Sequence, residues 1–396
     1  MYFFVFESLH IGGVETLLLR ECPWYQQKGE VCILCKNISA IAEDTFKHLG
    51  IRYIRLNKWT ASSIYRVISQ MTKNISFIKF YQFKVFLSFQ LKYERKGIRC
   101  LFYCVHPKCM TFMQSQPKLK RLFGSTFAKF VKKYIETRNV IFMDEATIDA
   151  SLNYYDILQY KEKCCILLLP YHIDQHQLKQ KSDDIFNILT VGRADFPYKG
   201  YILGLIEDFD NNFEIMKKSQ LTIISTGDDM DELNKKIDSV QEKVKPYIKL
   251  IKGVSPEKLP DYYSQADLYV GLGTTVLEAT SFGVPAIVAR YDTRKFTSKG
   301  FFYENPQEIS GKSTNEEPAF DKVIETMRMS NQDYKALQQR SLYALKENYD
   351  ENIILNEFDN WKIINSSIRI DLVSKIIAKF YFWFSATYFR LRGRRY

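Results

Sequence analysis

No run of about 20 uninterrupted apolar residues occurs in this 396-residue chain, so a membrane-crossing helix is not expected. The nearest approach, Leu372–Leu391, is broken by Lys375 and Lys379. The apolar start, Tyr2–Phe6, is too short for the core of a secretory leader and no basic residue precedes it, so export is not expected either. Low-complexity segments and internal repeats are missing, which leaves ordinary globular domains. The eight cysteines form no disulfide framework. Cys32 and Cys35 sit in one apparent strand at an odd separation, which turns their side chains to opposite faces and is wrong for chelation. Cys100, Cys104 and Cys109 lack a clear partner pair, and Cys164 and Cys165 are adjacent. They read as structural thiols in a reducing cytoplasm, with no zinc site. No nucleic-acid recognition motif is found, which sets that class of partner aside.

What is present is a globular composition, 46% apolar and 26% charged, with a net charge of +11. That excess points to an anionic partner such as a nucleotide, a phosphorylated acceptor or an acidic membrane surface. The length suits two domains. The first half alternates short β-rich runs with helical stretches, the pattern of a parallel sheet covered by helices. Its strands are expected at Tyr2–Phe6, Val31–Cys35, Arg52–Arg55, Ile98–Val105, Val140–Met143 and Cys164–Leu169. Residues 73–96 stay open. Phe77, Phe80, Tyr81, Phe83, Phe86 and Phe89 fit a helix or, in part, a strand at Val85–Phe89. They serve either as core or as an aromatic, lysine-flanked surface toward a membrane. Polar residues Gln175–Asp184 read as a linker. A second α/β set follows, with strands at Ile188–Val191, Leu221–Ser225, Ile248–Ile251, Leu268–Val270 and Ala286–Ala289. The expected division is 1–176, 183–350 and a C-terminal helical segment, 351–396.

The stretch Asp267–Pro285 carries the clearest local chemistry. A short strand runs into a loop with two glycines and two threonines, and a helix starts near Val276. Strand, glycine loop and helix N-terminus together bind phosphate. Gly271 and Gly273 let the backbone approach a ligand, and Thr274 or Thr275 suits the N-cap. Glu278, one turn in, is placed to accept hydrogen bonds from sugar hydroxyls. Arg193 and Lys199 lie six residues apart in the loop after the first strand of the same half. A planar guanidinium and a mobile ammonium complement each other on a diphosphate; otherwise they are two solvated surface cations.

Three segments carry a resemblance: Gly192-Arg-Ala-Asp-Phe-Pro-Tyr-Lys-Gly200; Gly253 with Leu259-Pro-Asp-Tyr-Tyr263 and Ala266-Asp-Leu268; and Gly273-Thr-Thr-Val-Leu-Glu-Ala279 with Gly283-Val-Pro285. Together they resemble the donor-binding half of glycosyltransferase family 4 (glycosyl transferases group 1). More loosely, Gly12-Gly13-Val14-Glu15 resembles that family's first glycine loop, and Pro170…Asp174 its interdomain segment. The resemblance implies the α/β GT-B fold, two Rossmann-like domains facing across a cleft, here followed by a C-terminal amphipathic helix. It implies that Arg193 and Lys199 bind the donor diphosphate and stabilise the departing nucleotide, and that Glu278 holds the ribose. Backbone N–H groups of Gly273, Thr274 and Thr275 would meet the phosphates, with Gly192 and Gly253 in the surrounding donor loops. Gly12 and Gly13 would close the phosphate site from the first domain. His106, after a strand of that domain, would be catalytic, with a capping or packing role as the alternative; His10 is a weaker candidate. One departure stands out: the first glutamate of the family's E-x7-E pattern falls at Val270.

The activity implied is retaining transfer of a sugar from a UDP- or GDP-linked donor, by front-face substitution without a carboxylate nucleophile. No cofactor beyond the nucleotide sugar is expected. No metal is expected either, because Arg193 and Lys199 supply the positive charge and no D-x-D motif is seen beside a suitable strand. A nucleotide-sugar epimerase and a non-catalytic membrane scaffold are the alternatives. At the C-terminus Ile376, Ile377, Phe380, Phe384 and Tyr388 recur at helical spacing, with Lys375 and Lys379 on another face. Arg390, Arg392, Arg394 and Arg395 follow. This reads as an interfacial helix with a polybasic end, or as a buried crossing helix with a solvated tail. The expected partners are therefore a lipid-linked glycan acceptor and an anionic membrane surface met by 372–396. The expected setting is the cytoplasmic face of the plasma membrane, in surface-polysaccharide or capsule assembly.

Overall fold

The computed structural model describes residues 1–9, 13–114, 116–173, 178–182, 184–312, 319–365 and 368–391. Two compact units divide the chain: Met1–Pro170 with Glu351–Tyr396, and Tyr171–Asp350. The C-terminal segment is thus part of the first unit.

The first unit contains β1 (Tyr2–Val5), β2 (Ser8–Leu9), β3 (Val31–Cys35), β4 (Asn37–Ile38), β5 (Arg52–Arg55), β6 (Phe77–Phe80), β7 (Cys100–Cys104) and β8 (Val140–Phe142). Its helices are α1 (Gly13–Gln26), α2 (Ala40–His48), α3 (Ala61–Met71), α4 (Phe83–Tyr93), α5 (Pro117–Glu136) and α6 (Glu145–Tyr154). Six strands form one parallel sheet in the order β5-β3-β1-β6-β7-β8, and β2 pairs with β4 apart from it. β1, β3, β6 and β7 are buried along their whole length, as expected of apolar strands covered on both faces. Helix starts follow local chemistry. Ser39 and Thr60 cap α2 and α3, and Asp144 with Thr147 makes a reciprocal capping box on α6.

Residues 77–89 resolve into β6 followed by α4, not a strand at Val85–Phe89. Phe77, Phe80, Tyr81, Phe83, Phe86 and Phe89 are all buried, so the membrane-surface reading of this stretch is overturned. Aromatic edge-to-face contacts explain the density: Phe83 meets Phe102, and Phe86 meets Tyr134, at centroid distances of 5.2 and 5.1 Å. The strand expected at Cys164–Leu169 is reduced to one bridge, Ile166 to Phe142. All eight cysteines are free thiols.

The C-terminal part returns as α13 (Glu351–Asn360) and α14 (Leu372–Leu391). Trp24 Nε1 donates to Asn352 at 3.2 Å, Lys28 meets Asp359 at 2.9 Å, and Arg99 donates to the Phe358 carbonyl at 2.7 Å. Beneath α13 lies a fully buried pair: Lys79 Nζ and Tyr81 Oη reach the two oxygens of Glu21 at 2.7 and 2.6 Å. The Phe358 ring covers that ammonium at 3.4 Å. Among the described residues, no helix is long and apolar enough to cross a membrane.

The second unit contains β9 (Phe186–Val191), β10 (Ser219–Ser225), β11 (Ile248–Lys252), β12 (Leu268–Gly271), β13 (Ala286–Tyr291), β14 (Ser298–Phe301) and β15 (Gly311–Lys312). Its helices are α7 (Tyr201–Asn211), α8 (Met230–Asp238), α9 (Leu259–Gln265), α10 (Thr274–Ser281), α11 (Phe320–Arg328) and α12 (Asn331–Tyr349). The sheet runs β11-β10-β9-β12-β13-β14, with β15 beside β13 and only β14 antiparallel. Strand order reverses on the two sides of β9, and in open α/β sheets that switch point is where ligands bind. The two chain crossings are tied together within this unit, Tyr171 N–H donating to the Tyr349 carbonyl at 2.8 Å.

Candidate functional site

The site forms where β9 and β12, neighbours in the sheet, release their loops. After β9 the chain makes a tight loop at 192–200 that is locked to the loop after β10. Ala194 N–H donates to the Thr226 carbonyl at 2.6 Å, and Asp229 N–H returns to Ala194 at 3.2 Å. Phe196 N–H is held by Asp229 Oδ2 at 2.7 Å. Gly227 makes this possible: its φ is 127°, and a Cβ there would lie 2.6 Å from the Ala194 carbonyl oxygen. Asp229-Met230-Asp231 is also a D-x-D spacing directly after a strand, against the expectation of none. Asp229 is spent on fixing this loop.

Within the loop Arg193 is exposed, while Lys199 folds back over Gly192. A Cβ at 192 would lie 3.1 Å from both Cδ and Nζ of Lys199, so this glycine makes room for the lysine. Burial, then the Arg193 guanidinium, pushes Lys199 down to about 8; Asp195 and Glu278 act in the opposite direction. Two cations of one loop are therefore held close enough to repel, with Glu278 within electrostatic reach.

After β12 comes Gly273, at φ 78° and ψ −152°, a conformation only glycine adopts easily. Its N–H donates to the Ile309 carbonyl at 2.7 Å, so the phosphate-facing role expected for that group is overturned. Thr274 and Thr275 occupy the first two positions of α10, where backbone N–H groups have no acceptor within the helix. The Thr275 hydroxyl turns inward, 2.5 Å from Tyr269 Oη and 3.2 Å from the Leu272 carbonyl. Tyr269 Oη also lies 3.2 Å from the Val191 carbonyl, bridging the two loops. Gly271 serves that bridge: a side chain there would collide with the Tyr269 ring. Its small size admits a tyrosine and not, as expected, a ligand.

Glu278 stands one turn into α10, and Tyr263 donates to its Oε2 at 2.9 Å. Burial keeps the Tyr263 hydroxyl protonated by raising its pKa well above the usual range. Val270 is wholly buried inside β12, so position 270 offers no polar group. Tyr263 and Tyr269 thus hold the Glu278 and Thr275 positions. Both tyrosines lie within the recognised segments of the sequence, but nothing in the motifs assigns them a role.

Arg193, Lys199, Glu278, Gly192 and the Gly273–Thr275 turn lie in the second unit around β9 and β12. Gly253 ends β11, two strands from β9, with its N–H directed to the Ser225 and Ile251 carbonyls, both at 3.1 Å. His106 belongs to the first unit, where its Nδ1 accepts the Lys108 N–H at 3.0 Å. An acceptor Nδ1 puts the proton of the neutral ring on Nε2. Gly13 opens α1 in the same unit. Gly12, His10, Asp174, Arg392, Arg394 and Arg395 fall outside the described residues.

The sequence model of the family Glycosyl transferases group 1 matches residues 185–312, which span β9 to β15. A search of curated proteins finds no sequence match. Solved structures do match over most of the chain. Alr3699/HepE of Anabaena in complex with UDP-glucose is 14% identical, over 91% of this chain and 98% of its own, with a TM-score of 0.63. A glycosyltransferase of Rickettsia africae ESF-5 is 13% identical over 90% and 96%, TM-score 0.62. WaaG, a glycosyltransferase involved in lipopolysaccharide biosynthesis, is 12% identical over 91% and 99%, TM-score 0.59. The fold is the GT-B fold, built from two Rossmann-like α/β domains.

Proposed function

We propose that the chain transfers a sugar, with retention, from a nucleoside-diphosphate sugar to a lipid-linked glycan acceptor in surface-polysaccharide assembly. One observation carries the reading: buried Lys199 lies within electrostatic reach of both Arg193 and Glu278 of α10, in the unit that the Glycosyl transferases group 1 model matches. Cleavage of the anomeric C–O bond gives an oxocarbenium-like centre and a diphosphate gaining negative charge. Arg193 and Lys199, with the Thr274 and Thr275 N–H groups, stabilise that charge more in the transition state than in the ground state. Glu278, steadied by Tyr263, accepts hydrogen bonds from the ribose hydroxyls. His106 is proposed to act at the acceptor through Nε2.

UDP is the favoured nucleotide, because Alr3699/HepE was solved with UDP-glucose. The family and capsule assignments belong to the same proposal. The lipid-linked acceptor is supported by the exposed apolar residues Ile376, Phe380 and Trp383 of α14.

The test is a thermal-shift series with UDP, GDP and their sugars, followed by product analysis with and without a glycolipid acceptor. Stabilisation by UDP, lost in Lys199→Ala and Glu278→Ala, together with an acceptor-dependent glycoside, is the expected result. Free sugar or an isomerised donor formed without acceptor would instead make the chain an epimerase. Binding unaffected by both substitutions would overturn the site.

A further inference from the structure

α14 is amphipathic in an unusual sense, because its outward side is the more apolar one. Ser374, Ala378 and Tyr381 face inward, and the Tyr381 ring sits 5.0 and 5.2 Å from Phe127 and Phe123 of α5. Outward stand Leu372, Val373, Ile376, Phe380, Trp383 and Phe384, each 36–72% exposed. Ile376, Phe380, Trp383 and Phe384 recur at helical spacing and form one ridge. A continuous apolar surface of this kind marks an interaction site.

The neighbouring helix supplies charge. α5 carries Lys118, Lys120, Arg121, Lys129, Lys132 and Lys133 before its single acid, Glu136, at its last residue. Lys118, Arg121 and Lys129 are exposed, and Leu122 between them is 69% exposed. The two surfaces are continuous: Lys129 Nζ reaches Asp371 and Ser374, at the start of α14, at 3.2 Å each. The acids bordering the surface are already paired, Asp371 with Lys129, Glu94 with Lys133, and Glu136 with Lys163, so the charge that α5 offers outward comes chiefly from exposed Lys118 and Arg121. Lys379 adds a further exposed cation on α14.

We propose that α5 and α14 together form a preformed face that seats the first unit on an anionic lipid bilayer, with the α14 ridge entering the interface and the α5 cations meeting lipid phosphates. This deepens the lipid-linked-acceptor reading and rests on it for its purpose, but it moves the charge from the arginines at the chain end to α5. An apolar ridge bordered by cations matches the interface of a negatively charged membrane. A second copy of the chain fits worse, since a two-fold contact would bring the same cations together.

The experiment uses the full chain with vesicles of phosphatidylcholine alone and of phosphatidylcholine with phosphatidylglycerol, read by flotation. Anionic vesicles are expected to carry the protein and neutral ones to leave it in solution. Phe380→Glu with Trp383→Glu should abolish flotation. Lys118→Glu with Arg121→Glu should weaken it at least about 30-fold, since each basic residue near an anionic surface adds about fivefold. Both double variants should keep the parent's melting temperature and its UDP response, which shows that they fold. Normal flotation of the α5 variant, or equal flotation on neutral vesicles, overturns the two-helix face. Conversion of a dimer to a monomer by the α14 variant, without vesicle binding by the parent, assigns the ridge to self-association and overturns it too. Loss of every UDP response with flotation intact would sink the proposed function and leave this inference standing.

Discussion

Each unit holds a desolvated lysine beside its sheet, and the two are held differently. Lys79 of the first unit is on β6, fully buried, with Glu21 at 2.7 Å and the Phe358 ring above it. Lys199 of the second unit lies in a loop at a strand end, close to another cation, with Glu278 and Asp195 offsetting that repulsion. Burial lowers both pKa values. Lys79 has a complete set of protein partners, so its charge is already answered. Lys199 is held beside Arg193 in a loop fixed by three hydrogen bonds to the loop after β10, which is an arrangement an anion would complete. The first site keeps α13 on the sheet; the second is the one the proposed function gives to a ligand.

Breaking the buried pair gives the largest expected effect. Lys79→Met leaves the Glu21 carboxyl group without its ammonium partner in the interior, at a cost of about 3–5 kcal/mol, and should lower the melting temperature by about 10 °C. Adding Glu21→Gln, which keeps a partner for Tyr81, should recover most of the loss. If the single and double variants melt alike, charge pairing is not what matters at Lys79. Lys199→Ala should behave in the opposite way. Turnover should fall about a hundredfold, near 3 kcal/mol, while melting stays level or rises, because a penalised charge is removed. A fall in melting temperature as large as that of Lys79→Met would erase the contrast between the two lysines.

The same contrast predicts a pH dependence. With its folded-state pKa near 8, below its ordinary 10.5, Lys199 loses its proton well before a free lysine would. A diphosphate binds the protonated form, so affinity is full below about pH 8 and falls by up to tenfold per unit above it, until the pKa of the liganded form is passed. Folding disfavours the charged form, so this residue subtracts stability below pH 8, and that penalty fades as pH rises from 8 toward 10.5. Calorimetric titration with UDP from pH 6.5 to 9.5 reads the first effect. Lys199→Arg, which stays charged across this range, should flatten the curve; an unchanged fall would point to another group.

How much of this could be read in advance depends on how local the determinant is. The loops at Arg193–Lys199 and Gly273–Glu278 are short, so their residue types could be read as a candidate site without knowledge of the packing, and the proposed function takes up that reading. The uses of individual glycines were misread because a sequence does not show what fills the vacated space. At Gly192 it is the Lys199 side chain, and at Gly271 the Tyr269 ring. The stretch from Phe77 to Phe89 is ambiguous in sequence because two turns of largely buried helix and a fully buried strand look alike without polar alternation. The Glu21–Lys79 pair joins residues 58 positions apart, and periodicity carries no information at that distance. The face of α14 was only partly legible. The spacing of Ile376, Phe380 and Phe384 gave the ridge, but the burial of Tyr381 and the contribution of α5 depend on packing.

Tyr263 offers the smallest and most selective test of the second unit. Its hydroxyl donates to Glu278 Oε2 at 2.9 Å, and its ring stacks 5.7 Å from Phe282. Tyr263→Phe keeps the ring and removes one hydrogen bond to a carboxylate, a change worth about 1 kcal/mol or roughly fivefold in UDP affinity. If the tyrosine matters only for packing, the substitution should weaken all nucleotides equally, or none. If it steadies Glu278 toward the ribose, the loss should appear with UDP and vanish with a 2′,3′-dideoxy analogue, which has no hydroxyls for the carboxylate to accept from. Calorimetry with both ligands on the parent and the variant completes that cycle. An equal loss with the two ligands would detach Glu278 from the ribose while leaving the roles of Arg193 and Lys199 at the diphosphate untouched.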